Sequence, residues 1–70
     1  MNRKILKKIV DEALGVGTTR VEESLSGRQW YIYTEVWTIT SSQLSTISKE
    51  VEVEALSVDG GWIMITARKR

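Results

Sequence analysis

At 70 residues and a formal net charge of +1, the chain has room for one domain, and a domain of this size buries only about 60% of its unfolded surface, so association is a common route to extra stability. It contains no cysteine and no histidine, which excludes disulfides, thiolate nucleophiles, cysteine-based metal sites, the usual general base and the commonest transition-metal ligand. No stretch approaches the roughly 20 apolar residues of a membrane span and no signal-type core follows the basic start, so a cytoplasmic location without a membrane partner is expected.

The charge is segregated along the chain. Arg3, Lys4, Lys7 and Lys8 open it and Arg68, Lys69 and Arg70 close it, whereas all nine acids lie between them with only Arg20, Arg28 and Lys49. Such ends read first as solvated charge that keeps a domain soluble. They also offer a phosphate-binding footprint, in which Lys4, Lys7, Lys8, Arg68, Lys69 and Arg70 would contact nucleic acid through its backbone.

Ile5, Leu6, Ile9, Val10, Ala13 and Leu14 recur at helical spacing, which predicts a first helix with one buried stripe, stopped by Gly15. Its lysines precede Asp11 and Glu12, against the preference of the helix dipole, although Lys7 with Asp11 and Lys8 with Glu12 are spaced to pair across one turn. Gly15-Val16-Gly17-Thr18-Thr19 follows a helix and lacks the Gly-Lys-Ser/Thr ending of a phosphate loop, so it is read as a helix stop and turn.

Two strands are expected next, Thr19 to Ser26 and Gln29 to Thr38, joined by a two-residue turn at Gly27-Arg28. That turn would set Leu25 against Trp30 and Val21 against Thr34 on a core face with Ile32 and Val36. The segment Gln29–Thr40 carries four of the five aromatic residues. The opposite face would therefore present Tyr31, Tyr33, Glu35 and Trp37.

Thr40 and Gln43 match a capping box, and Ile39 and Leu44 a hydrophobic staple, so a second helix should begin at Thr40 with Leu44, Ile47 and Val51 turned inward. The alternation Val51-Glu52-Val53-Glu54 then switches the period to that of a strand. Asp59-Gly60-Gly61 is a turn signal. A two-residue Asp-Gly loop would set Glu54 against Ile65, whereas a three-residue loop pairing Val58 with Trp62 collects Val51, Val53, Ala55, Ile63, Ile65 and Ala67 on one face, and this second register is the expected one.

The resulting fold class is α+β, a single domain over residues 1–70 in the order α-β-β-α-β-β, with a four-stranded, mainly antiparallel sheet and two helices packed on one face. An arrangement with one helix on each face is the alternative. With both helices on one side, Tyr31, Tyr33, Trp37, Leu56, Val58, Trp62 and Met64 form an outer apolar face, larger than monomers usually expose. The expected role is a non-enzymatic interaction module, a homodimer through this face or a complex with another protein. Acids at Glu22, Glu35, Glu52 and Glu54 argue against nucleic acid there, which leaves the basic ends as the runner-up site. Glu22-Glu23 and the Glu50, Glu52, Glu54 series could hold a hard cation but read as wet strand faces; no cofactor, metal or catalytic residue is expected.

Overall fold

Asn2 opens the first helix, α1 (Arg3–Leu14), by accepting the Ile5 N–H with its side-chain oxygen at 3.0 Å, a cap for one of the helix's unpaired donors. Gly15 ends it in the left-handed region at φ 71°, as its position after the apolar stripe predicts. Asp11 then ties the helix to the next strand: it accepts from the Lys7 ammonium at 2.5 Å and from the Thr19 N–H at 3.0 Å. The second expected pair, Lys8 with Glu12, does not form. These residues are described with the rest of the chain, residues 1–70, by the computed structural model.

Partial burial pushes the Asp11 carboxyl up, but the hydrogen bonds from Lys7 and Thr19 together with the Lys7 charge outweigh it and hold the group below its ordinary value of 3.8. A depressed carboxylate stabilises the fold above its unfolded pKa and loses that contribution as pH falls through the folded value. Acid unfolding of Asp11→Asn should therefore flatten below about pH 4 relative to the parent, and at neutral pH the variant should lose on the order of 1–3 kcal/mol in urea melts.

β1 (Arg20–Glu23) and β2 (Gln29–Tyr33) form an antiparallel hairpin with Glu23 opposite Trp30 and Val21 opposite Ile32. The expected two-residue turn at Gly27-Arg28 is replaced by a longer loop. Ser24 closes it: its N–H bonds to the Gln29 carbonyl at 3.0 Å, its hydroxyl accepts the Gln29 N–H at 3.1 Å, and its carbonyl accepts the Gly27 N–H at 2.9 Å. The side-chain bond competes successfully with strand continuation. The register thus slides by two residues, leaving each side chain on its expected face, but Leu25 becomes fully exposed instead of facing Trp30.

β2 also stops earlier than the apolar run suggests. The Thr34 N–H still reaches the Ile63 carbonyl, but the Ile63 N–H skips to Val36, so the chain bulges at Glu35 and leaves the sheet. Trp37 consequently stands in the connection rather than in a strand.

α2 (Ser41–Ser48) begins where the sequence places it. Thr40 Oγ1 accepts the Gln43 N–H at 3.1 Å and Gln43 Oε1 accepts the Thr40 N–H at 2.9 Å, the complete reciprocal cap. Thr40→Ala should cost about 0.5–2 kcal/mol. Adding Gln43→Ala should cost less than the two single losses combined, because each side chain serves the same cap; denaturation midpoints of the three variants check this.

β3 (Glu52–Asp59) and β4 (Trp62–Arg68) are joined by Gly60-Gly61, whose φ values of 60° and 88° suit a two-residue turn of the primed type. Asp59 therefore pairs with Trp62, Val58 with Ile63 and Leu56 with Ile65. A bulge between Val53 and Ala55 restores the expected register beyond it, with Val53 opposite Ala67. The correction is local and consequential: Leu56 and Val58 share the face of the buried Ile65, not that of Trp62 and Met64, and Ala55 crosses to the outer side.

The strand order is β1-β2-β4-β3, antiparallel throughout. Leu6, Val10 and Leu14 of α1 and Ile47 of α2 join one buried cluster with Val21, Trp30, Ile32, Ile65 and Ala67, which all lie on the same face of the sheet. Both helices cover that face. Ala67 beside Trp30 keeps the layer level, a small residue next to the largest.

An uncovered sheet face and a basic end

The outer face divides into two halves along the strands. At one end Gln29 Nε2 donates to Glu54 Oε1 at 2.7 Å while the Arg68 guanidinium lies 3.1 Å from Glu54 and 3.9 Å from Glu52, a polar clamp across β2, β4 and β3. These contacts engage two of the acids that could have held a cation. Towards the other end the face turns aromatic: Tyr33 lies opposite Met64 and Tyr31 opposite Thr66, with Trp62 two residues from Met64 on the same side.

Trp37 completes this ridge from the β2–α2 connection. Its ring stacks on Trp62 with centroids 5.7 Å apart and planes 14° from parallel, although Trp37 is 73% and Trp62 38% exposed. The expected strand position of Trp37 is wrong, yet the stack brings it to the predicted neighbours. Arg20 lies over the Tyr33 ring at 4.6 Å and pairs with Glu22 at 3.6 Å, forming a charged rim on the β1 side. Tyr33, Trp62 and Met64 help to line an open hollow of about 290 Å³ together with Arg20, Glu35 and Asp59.

Of the seven residues expected together, five therefore meet: Tyr31, Tyr33, Trp37, Trp62 and Met64. Leu56 and Val58 lie on the helix side of β3, beyond the helices, and are exposed there.

Of the expected basic residues, Lys4, Arg68 and Lys69 line two hollows at the polar end of the molecule, whereas Lys7, Lys8 and Arg70 line neither. Arg3 and Lys4 at the start of α1 and Lys69 from the chain's end line one hollow of about 460 Å³ with Glu23 and Trp30, and Arg28, Arg68 and Lys69 line another of about 570 Å³. Lys69 sits over the Trp30 ring at 4.2 Å and is bonded to Glu23. Lys7 is engaged with Asp11 and the Gly17 carbonyl, Lys8 is exposed, and Arg70 donates to the Ser48 carbonyl at the end of α2, where a cation suits the helix terminus. The convergence adds Arg3 and Arg28 to the expected set. Arg3 belongs to the basic start already visible in the sequence, but Arg28 could not be singled out there, since it lies 40 positions before the Arg68 with which it shares a hollow.

No group of three or more acidic, histidine or cysteine side chains lies close enough together to hold a metal ion, and no helix is long and apolar enough to cross a membrane. Compared with known proteins, the chain matches no family model, no curated protein and no solved structure.

Proposed function

We propose that this protein is a non-enzymatic interaction module whose outer sheet face binds a second copy of itself. The observation that carries the reading is the Trp37–Trp62 stack standing in solvent at the end of an uncovered row formed by Tyr33, Met64 and Tyr31. If a tryptophan presents up to about 250 Å², the exposed fractions of 73% and 38% amount to roughly 280 Å² per chain. Burying that area on both copies is worth on the order of 14 kcal/mol at about 25 cal/mol per Å². Association itself costs about 4–15 kcal/mol. The tryptophans thus roughly balance the cost, and Tyr31, Tyr33 and Met64 must supply the surplus.

A C2 arrangement suits the face because each copy presents both an aromatic ridge and a charged rim to the other. The absence of histidine and cysteine from the sequence supports a role without catalysis, and the cysteine-free composition goes with a cytoplasmic setting. Molecular mass followed over a dilution series tests the reading, with the aromatic face substituted as control.

The meeting of the two basic ends favours a second reading, weak binding of nucleic-acid backbones. Arg3, Lys4 and Arg28 have no acidic partner within 4.0 Å, but Lys69 and Arg68 are already engaged by Glu23, Glu52 and Glu54. Replacing Arg3, Lys4 and Arg28 by serine should weaken binding equally for unrelated sequences and reduce its salt dependence. Titration with labelled DNA and RNA at physiological salt is expected to give dissociation constants well above micromolar. A submicromolar value would make the basic end the main site.

A further inference from the structure

The sheet has two edges, and they are built differently. β1 is four residues long and three of them, Arg20, Glu22 and Glu23, are charged, which is the usual protection of an edge against pairing. β3 is twice as long and carries, between Glu54 and Asp59, the uncharged run Ala55-Leu56-Ser57-Val58. All four residues are exposed, Leu56 to 47% and Val58 to 74%.

The direction of the backbone groups follows from Ile63. Its N–H donates to the Val36 carbonyl and its carbonyl accepts from Thr34, so both groups face β2. Val58, opposite Ile63, therefore forms a non-hydrogen-bonded pair with it and directs its own N–H and C=O to the open edge. Leu56, two residues away in the same register, does the same.

We propose that β3 of a second copy pairs antiparallel with this edge across a two-fold axis at Ser57, joining two four-stranded sheets into one of eight strands. In that register Leu56 of each copy faces Val58 of the other, and each such pair exchanges two backbone hydrogen bonds, four in all. On the helix side the exposed Leu56 and Val58 side chains become cross-strand neighbours. Glu54 falls opposite Gly60 and Ala55 opposite Asp59, so no like charges meet. Sliding by one residue would set Glu54 against Asp59 and mismatch the backbone groups. The contact lies on the strand edge and leaves the aromatic face free, so it goes beyond the face-to-face association and does not rest on it.

Because the chain has no cysteine, cross-linking reads the register directly. Ser57→Cys should form a disulfide-linked dimer on mild oxidation, since a non-hydrogen-bonded pair holds its Cα atoms about 4.5 Å apart, within disulfide reach. An equimolar mixture of Leu56→Cys and Val58→Cys should give several-fold more dimer than either alone. Those two positions lie on the helix side, where a face-to-face dimer cannot join them, so failure of either association is seen separately. Val58→Pro removes an N–H that the isolated chain does not use; it should stay folded by circular dichroism and abolish cross-linking through Ser57→Cys. In the unsubstituted protein, the Leu56 and Val58 amides should be protected from hydrogen exchange at high concentration and lose that protection on dilution. Absence of the mixed disulfide, a cross-link that survives Val58→Pro, or fast exchange of both amides at every concentration would overturn the proposal.

Discussion

Trp30→Ala should remove a large share of the protein's stability and lower its thermal midpoint by roughly 12–40 °C. Trp30 is 3% exposed, sits between Ala67 and the end of β1, and is covered by Lys69 and the start of α1. Truncating a buried tryptophan costs about 3–5 kcal/mol. At about 0.05–0.15 kcal/mol per residue, a chain of 70 residues has roughly 4–10 kcal/mol in total. The loss is therefore a large share of the whole stability, and the melt followed by near-ultraviolet circular dichroism should shift down by roughly 12–40 °C, at about 4–8 °C per kcal/mol. A cooperative thermal transition within a few degrees of the parent's would show that the cluster tolerates a cavity there.

Trp62→Glu should behave in the opposite way, remaining folded while losing the association step that depends on the aromatic face. Trp62 is stacked only on Trp37 across the outer surface and adds nothing to the buried cluster. A carboxylate there would have to be desolvated in the proposed contact, at a cost of several kcal/mol, whereas in the isolated chain it stays in water. Trp37→Glu should do the same. Unfolding of either variant would mean that the ridge belongs to the interior.

The contrast between these tryptophans is half legible in the chain. Alternation along Trp30-Tyr31-Ile32-Tyr33 separates the inward from the outward residues, and that separation survives the two-residue slide of the hairpin because it preserves parity. The start of α2 is legible for a local reason, since Thr40 and Gln43 satisfy each other's backbone within four residues. Asn2 caps α1 with a weaker signal, because Ile5, the residue whose N–H it accepts, has no polar side chain to return the bond.

What alternation cannot carry is a change of phase. Val51 and Val53 are odd-numbered and Leu56 and Val58 even-numbered, and a single strand can present both sets to the helix side only if it bulges between them, as it does around Glu54. A strand read as unbroken forces Leu56 and Val58 onto the outer face and hides the open edge of β3. The two-residue turn escapes for a related reason: Asp59-Gly60 is the stronger local signal, but Gly60-Gly61, with both φ values positive, is the pair that turns the chain. The basic hollows lie beyond any local signal, because Arg3, Arg28 and Lys69 are drawn together by the sheet's topology.

Sedimentation equilibrium of the unsubstituted protein across a dilution series, alongside Trp62→Glu, tests the central claim most directly. The parent should show at least twice the 8.0 kDa chain mass at tens of micromolar and approach one chain on dilution, while Trp62→Glu at the same concentrations should lose the step that depends on the aromatic face. A parent that stays at one chain mass up to millimolar concentration, or a Trp62→Glu variant whose folded form associates as the parent does, would contradict it.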